Sequence, residues 1–575
     1  MLIPRPVRQP VARPFAALAE HAVARRPGSR LGPQLAFIAR GAAGPADRAA
    51  SLARRLGTSP RSAARARRQL ATLALASGFH DVAADIVASI PDDLSRDLEA
   101  LRARLALDSG RYTDALAHAR TAVEAGMSRA QQLADKAEGQ LTVLQPGWVP
   151  DVGPEERRLR RIRGSVVRGR VLHLVSVSLP YQQAGYTLRT QSVAKCQIEV
   201  GLDPHVATRT GFPRRSGNPE DPREQRVDGV PYHWFAPAAA GAGRVDRTLT
   251  ESARAAVPLL EELRPAVLQP ASNHLQAQIA LALARPLGIP VVYELRGFWE
   301  ESWAAHRTHD EDTAMATDRY RMTREAETAA MVAADAVVTL SETMRQEIIG
   351  RGCAPEQVVI VPNAVDIERF RPAPRDDALA ASLGIGPADP VVGYVSSLNP
   401  YEGIPYLLEA AARLREQGQR LRVLLVGDGE DEGAIAETSR RLGLDDGTLV
   451  MPGRVPHDRI LGYYSIIDVF VVPRTANRVS RLVTPLKPYE AMALERAVVV
   501  SDLPALREIV SPGETGLTFR PEDPDDLARV LGLLLDDPAL RARLGRQARE
   551  WIVASRTWSE NGRRYRELFE RLGVA

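Results

Sequence analysis

Cysteine is nearly absent from this chain. Cys196 and Cys353 are the two in 575 residues, too few for a disulfide framework or a zinc site, and that scarcity fits a reducing cytoplasm. Long apolar runs are missing too. Nothing approaches the roughly 18 residues of a membrane span, and the opening Met1-Leu2-Ile3-Pro4-Arg5-Pro6 lacks the apolar core of a signal peptide. A cytoplasmic protein is expected, one that meets a membrane only by docking from one side. Nor does one charge sign dominate. Lys and Arg number 75 against 71 Asp and Glu, a net +4, although the isoelectric point is about 9.1. Nucleic-acid binders usually carry a concentrated basic excess, so nucleic acid is not an expected partner.

What is present is ordinary for a soluble globular protein: 45% hydrophobic and 25% charged residues. The length exceeds the roughly 250–300 residues at which one core stops growing, so several domains are expected. Residues 1–165 are rich in Ala, Arg and Leu, with apolar residues at helical spacing (Leu98, Leu101, Leu105; Ala115, Leu116, Ala119). Leu73-Ala-Leu-Ala-Ser-Gly-Phe79 recurs 32 residues later as Leu105-Ala-Leu-Asp-Ser-Gly-Arg111. This all-α region reads either as a degenerate pair of tetratricopeptide-like hairpins or as a plain helical bundle, and it is a candidate surface for a partner protein. The basic run Arg157 to Arg170 reads as a solvated helix face, or more sharply as a contact for anionic lipid headgroups.

From Val171 the pattern becomes strand, loop, helix, repeated. Short apolar runs lie at Val171–Val177, Val206–Arg209, Ala266–Leu268, Val291–Glu294, Ala336–Leu340 and Val358–Val361. After the Pro-rich Pro362–Pro374 the pattern restarts at Val391–Val395 and continues through Leu421–Val426, Leu449–Met451, Val469–Val472 and Val498–Val500. Buried runs alternating with helices imply parallel sheets covered on both faces. The expected class is α/β, with two Rossmann-like domains facing a cleft behind a helical region. The expected divisions are 1–165, 166–375, 376–548, and a C-terminal helix at 549–575 that returns to the first Rossmann-like domain.

In the segment Val471-Val-Pro-Arg474 through Thr484-Pro485-Leu486-Lys487-Pro488-Tyr489-Glu490-Ala491-Met492-Ala493, a strand ends, a cationic loop follows and a helix begins. Proline suits a first helical turn, and free N–H groups with the positive helix end favour an anion. Arg474, Arg478, Arg481 and Lys487 converge on that loop, which suits a diphosphate. Glu490 could accept hydrogen bonds from a ribose diol, or merely complement the helix dipole.

Taken with its surroundings, the stretch from about Val171 to Arg556 resembles family 4 of the retaining glycosyltransferases, of the two-Rossmann-domain (GT-B) type. Ala184-Gly185-Tyr186-Thr-Leu-Arg189-Thr190 is similar to the family's glycine loop. Tyr293-Glu-Leu-Arg296-Gly297-Phe298-Trp299-Glu300 and the Thr-Pro-Leu-Lys-Pro motif are similar to those of one bacterial subgroup. Val361-Pro-Asn363-Ala-Val-Asp366, Val426-Gly427-Asp428-Gly429, Pro452-Gly453-Arg454-Val455 and Glu490-Ala-Met-Ala follow in the family's order. Two departures stand out. The first of the family's paired glutamates is Leu482 here, and Ser396-Ser397 and Tyr401-Glu402-Gly403 replace its usual Arg and Lys.

The resemblance implies a metal-independent hexosyltransferase without a cofactor, taking a nucleoside-diphosphate sugar as donor and a glycan, lipid-linked or small-molecule acceptor. It places Gly185, Ser397, Gly427, Asp428, Gly429, Leu486 and Lys487 around the donor, with Arg474 or Arg481 adding positive charge. Glu490 would hold the ribose, Arg454 and Val455 the base, and Arg296 would orient acceptor or sugar from across the cleft. The catalytic group is thus Arg296, Lys487 and Glu490. Two rivals remain: a nucleotide-sugar epimerase of the same architecture, and a silent scaffold acting through its N-terminal helices. His306 and His309 beside Asp310, Glu311 and Asp312 have no metal-ligand spacing and read as a solvated loop. Phe298, Trp299 and Trp303 form an acceptor platform or pack domains.

Overall fold

Val469-Phe-Val-Val472 and Ala497-Val-Val-Val-Ser501 are buried along their whole length, as strands covered on both faces by helices must be. They lie in a computed structural model that describes residues 59–76, 80–92, 97–213, 223–235, 243–307 and 311–575. Two units are present.

The first unit is helical. Its helices Pro60–Ala76, His80–Ala88, Leu98–Asp108, Tyr112–Glu124 and Gln131–Val143 each pack on the next. Alanine makes this close approach cheap: Ala103, Ala106, Ala115, Ala119, Ala134 and Ala137 are all buried at the helix contacts. Asp318 accepts the Thr113 N–H at 2.8 Å, and Arg244 pairs with Asp246 at 2.8 Å and with Glu138, tying two later stretches into the unit. Of the suspected repeat, Leu105 is buried and Gly110 turns the chain with φ +77°. In the earlier copy, residues 77–79 lie outside the described ones.

The second unit runs from Pro146 and holds both α/β domains. The N-terminal domain contains β1 (Val167–Val175), β2 (Asp203–Thr208), β3 (Glu224–Val227), β4 (Val230–His233) and β5 (Pro265–Pro270), ordered β3-β4-β2-β1-β5. Parallel bridges Leu268–Val291 and Ala271–Glu294 extend the sheet to β6 (Val292–Glu294), β7 (Ala336–Thr339) and β8 (Val358–Ile360). All pairs are parallel except the β3–β4 hairpin.

The C-terminal domain carries β9 (Val391–Val395), β10 (Arg422–Val426), β11 (Leu449–Gly453), β12 (Val469–Val472), β13 (Ala497–Ser501) and β14 (Leu517–Phe519). They form one parallel sheet in the order β11-β10-β9-β12-β13-β14. The order reverses between β9 and β12, and at such a switch point the carboxyl ends of the strands leave a crevice for ligands.

The chain crosses between these domains twice, where Val365 bridges Thr557. The last helix, Trp558–Arg571, buries Tyr565, Leu568 and Phe569 against Val171, Val193, Cys196 and Val338 of the N-terminal domain. Trp551 stacks on Tyr489 with centroids 6.2 Å apart, and Trp558 lies under Arg189. Within the basic run Arg158 pairs with Glu155 and Glu261, Arg160 with Glu156 and Arg170 with Asp203, which uses much of its charge. Among the described residues no helix is long and apolar enough to cross a membrane.

Three buried histidines make the N-terminal sheet sensitive to acid. His173 bonds Gln197 at 2.8 Å, and His205 faces His233 at 3.0 Å. Burial pushes His173 and His205 down to about 4 and lowers His233 as well. An unfolded imidazole takes up its proton near pH 6.5, whereas the folded His173 and His205 stay neutral until about pH 4. The stability they contribute is complete above pH 6.5 and is lost as pH falls toward 4. Thermal melts should therefore fall steadily between pH 6.5 and 5, and a flat melting temperature over that window would contradict the burial of these rings.

Candidate functional site

A cavity of about 660 Å³ opens at the carboxyl ends of β9, β10 and β11. The N-terminal domain contributes Gln182, Gln183, Ala184, Gly185 and Leu188. Facing them are Ser396, Ser397, Gly427, Asp428, Arg454, Val455, Ile460 and Lys487.

Gly185 starts the helix Gly185–Glu199, whose first turn is closed by Thr187 Oγ1 accepting the Ala184 N–H at 3.0 Å. A Cβ at Gly185 would meet nothing within 4 Å, so the space above it is free for a ligand. Gly427 answers to a different constraint. Its φ is +143°, and a Cβ there would lie 1.8 Å from the Ser396 carbonyl oxygen. The loops after β9 and β10 are zipped together through Ser396 N–H to Val426 O and Leu398 N–H to Asp428 O, both 3.0 Å. Gly429 fits the same seam, where a Cβ would lie 2.2 Å from Leu398 O, and it does not line the cavity.

Lys487 opens the helix Lys487–Ala493 and is the amine in the cavity wall. Its Nζ donates to both oxygens of Glu490, at 3.1 and 3.2 Å. Glu490 is 4% exposed, and its Oε2 also accepts from the buried Tyr464 hydroxyl at 2.7 Å. Burial, with Glu490 beside it, pushes Tyr464 well above its ordinary range, so this phenol stays a donor. Arg454 reaches across the cleft to donate to the Gln183 carbonyl at 3.0 Å.

Other expected placements need correction. Arg474 does not converge on the phosphate loop. It is buried, with Nε and Nη2 each donating to Glu402 at 3.0 Å, and Tyr394 also donates to Glu402. Burial opposes the arginine's charge, but Glu402 outweighs it and raises Arg474 further. A guanidinium so paired is spent. Arg481 points away, donating to the Ala476 carbonyl at 2.7 Å from an exposed position. Leu486 sits at the helix N-cap position outside the cavity wall.

Arg296 is turned inward as well. It donates to the Tyr186 carbonyl (2.9 Å), Thr190 Oγ1 (2.7 Å) and Glu294 (2.9 Å), and its guanidinium lies 4.7 Å from the centroid of the Tyr186 ring. Glu294 is completely buried, which alone would raise its pKa, yet Arg296 and Arg189 hold it well below the carboxylate range. The group organises the N-terminal domain: Arg189 continues from Glu294 to the carbonyls of Val361 and Pro362, at the exit from that domain.

Phe298 is buried beneath Arg351, 4.2 Å from its ring centroid, so it offers no platform, while Trp299 is 37% exposed. Glu300, Glu301 and Glu347 meet Arg324 and Arg351 in a partly buried cluster. Arg478 of the C-terminal domain completes it, 3.0 Å from Glu301 and 3.5 Å from Glu347. Its charge brings the guanidinium count level with the carboxylates, and so links the helix Arg478–Leu482, just ahead of the Lys487 loop, to the opposite domain. His306 packs on Tyr401 and lies 3.6 Å from Glu430, whereas His309 and Asp310 lie outside the described residues.

Family models confirm what this architecture suggests. One described as "Glycosyl transferase 4-like domain" matches residues 184–364. One described as "Glycosyl transferases group 1" matches residues 376–551, and together they span more than half of the chain. The chain belongs to the two-domain GT-B glycosyltransferases, its first domain matching the 4-like model and its second the group 1 model. A D-inositol 3-phosphate glycosyltransferase of Nocardia farcinica is 32% identical over 37% of this chain and 47% of its own length. An alpha-maltose-1-phosphate synthase of Mycobacterium tuberculosis is 28% identical over 42% of this chain and 64% of its own. The chain thus spans about half the length of the first of these curated relatives. Among solved structures, a sucrose-phosphate synthase of Thermosynechococcus elongatus superposes with a TM-score of 0.57 at 21% identity, covering 70% of this chain and 99% of its own. HepE of Anabaena in complex with UDP gives 0.54 at 18%, covering 70% and 100%. These likenesses show the fold, two Rossmann-like domains of the GT-B type.

The glycosyl-transferase resemblance gives no role to Tyr464, Glu402 or Glu301. Each is a partner buried under a residue that the motifs did mark, and no local spacing announces it.

Proposed function

We propose that this protein transfers a hexose-type sugar, with retention of configuration, from a nucleoside-diphosphate sugar seated in the 660 Å³ cavity to a glycan, lipid-linked or small-molecule acceptor. The observation that carries the proposal is the Lys487–Glu490–Tyr464 constellation, an amine in the cavity wall backed by a buried, hydrogen-bonded carboxylate. The names of the curated relatives, a glycosyltransferase and a sugar-phosphate synthase, support sugar transfer.

In this reading Lys487 turns from Glu490 to the diphosphate. Preorganised positive charge there stabilises the leaving group as the glycosidic bond breaks. Glu490, oriented by the Tyr464 hydroxyl, takes the ribose hydroxyls. Arg454 and Val455 border the base, and Gly185 leaves room for the phosphates. The reaction is written without a metal or cofactor because the leaving diphosphate meets Lys487 and backbone N–H groups. The acceptor proton can leave on the departing phosphate, so no side-chain base is required. Cytoplasmic placement, a partner on the N-terminal helices and a lipid contact through Arg157–Arg170 belong to the same proposal. The lipid contact has only the cations that the ion pairs leave over.

Replacing Lys487 by Ala should weaken nucleoside-diphosphate binding by about 1.5–3 kcal/mol, the scale of a hydrogen bond to a charged group. Calorimetry with UDP, GDP, ADP and dTDP tests this directly. Equal affinity of the variant and the parent chain for whichever nucleotide binds would remove Lys487 from the site.

A further inference from the structure

An aromatic ring brings a large contact area with a specific geometry to a binding surface. Tyr181 is 42% exposed, yet its ring is fixed from two sides. It meets Trp234 edge-to-face with centroids 5.2 Å apart and planes at 80°, and Phe212 at 6.4 Å and 86°. Trp234 is itself anchored: it is 5% exposed, and its Nε1–H donates to Ser178 Oγ at 3.2 Å. Such T-shaped contacts are a favoured geometry for aromatic pairs, so they favour this orientation of the ring.

Its place in the fold is equally specific. Tyr181 follows β1, Phe212 follows β2 and Trp234 follows β4. All three stand beyond the carboxyl ends of parallel strands, the edge where ligands of this architecture bind. Tyr181 immediately precedes Gln182 and Gln183, which line the cavity. Consecutive Cα atoms are about 3.8 Å apart, so the Tyr181 backbone borders the cavity, while its ring packs on Phe212 and Trp234 outside the cavity lining. The electron-rich face of a phenol favours the slightly positive C–H face of a pyranose, whose hydroxyls then point sideways toward polar groups. The Gln182 and Gln183 side chains are the nearest such groups in sequence.

We propose that Tyr181, braced by Trp234 and Phe212, is a stacking subsite for a pyranose ring of the acceptor, so that the acceptor presents a carbohydrate ring rather than an acyclic polyol. This rests on the reading of the adjoining cavity as the donor site. It differs from the Phe298–Trp303 platform, whose first ring is buried.

Saturation-transfer NMR on the full chain provides the test, with millimolar maltose as the probe, D-sorbitol as a polyol without a ring face, and UDP, GDP and ADP in parallel samples. Maltose should show transfer in the parent chain and in Tyr181→Phe. The signal should fall at least five-fold in Tyr181→Ala and in Tyr181→Leu, the second of which keeps apolar bulk without a π face and guards against misfolding of the first. Sorbitol should show none. Equal maltose signals in the parent chain and both non-aromatic variants, no maltose signal in the parent chain, or a sorbitol signal equal to that of maltose would each overturn the subsite. Nucleotide signals report separately on the cavity. Their absence beside a Tyr181-dependent maltose signal would strike the donor reading and leave the stacking subsite standing.

Discussion

Arg474→Ala is expected to cost about 3–5 kcal/mol of stability, because it strands a buried carboxylate. Glu402 is 2% exposed and keeps both oxygens on the Arg474 guanidinium at 3.0 Å. Without Arg474 only the Tyr394 hydroxyl would remain on Glu402, and one neutral donor does not balance a charge removed from water. Arg474 also donates to the Val483 carbonyl at 3.1 Å, so the loss would loosen the strand-to-helix loop just ahead of Lys487. Arg474→Lys should recover only part of the stability, since a point charge cannot reproduce the bidentate fork. The double replacement Arg474→Met with Glu402→Leu should be milder than Arg474→Ala, because it removes both charges together. Urea denaturation of the four chains measures these differences. A loss below about 1 kcal/mol for Arg474→Ala, accompanied by loss of nucleotide binding, would return Arg474 to the phosphate site as a ligand.

That pairing shows where sequence reading stops. The strand runs of the C-terminal domain were legible because buried β-branched stretches such as Val498–Val500 have no surface role to confuse them. Gly185, Ser397, Asp428, Arg454 and Lys487 come together in one cavity because each follows a strand end, and strand ends share one edge of their sheets. Arg474 was misplaced for the opposite reason. A cation next to a phosphate-like loop looks available until its partner is known, and Glu402 lies 72 residues earlier.

The pairing of Arg296 has a local signal in the sequence. Glu294 precedes it by two, the spacing that puts side chains on one face of a strand, and 2.9 Å now separates the pair. The β3–β4 hairpin also had a signal in Asp228-Gly229, whose φ values of +46° and +84° are those for which Asp-Gly turns are favoured. The signal is weak because the flanking strands, four residues each, carry little apolar periodicity. Tyr464 had no signal at all: its role is defined only by where its hydroxyl ends.

Glu490→Gln should reduce donor affinity or turnover ten-fold or more, while the fold survives. The side chain keeps its size, so the buried packing around it is maintained. What changes is charge. The carboxylate accepts from Tyr464 at 2.7 Å and from Lys487 at 3.1 and 3.2 Å, and an amide can offer only one acceptor oxygen to these donors. One of the two is then left facing an N–H₂ group. If Glu490 also takes ribose hydroxyls through charge-assisted bonds, roughly 1.5–3 kcal/mol of donor binding disappears with the charge. Tyr464→Phe separates the contributions, since it removes one orienting bond and leaves the charge. It should raise the donor KM less than Glu490→Gln does. Were Glu490 only a brace for Lys487 and Tyr464, both variants would melt lower and work at full rate, because the lost interactions would belong to the resting fold. Melting curves and donor hydrolysis measured on the same preparations distinguish the cases. Full activity with a lowered melting temperature in Glu490→Gln would remove this carboxylate from the ribose site and leave Lys487 as the sole anchor of the donor reading on that helix.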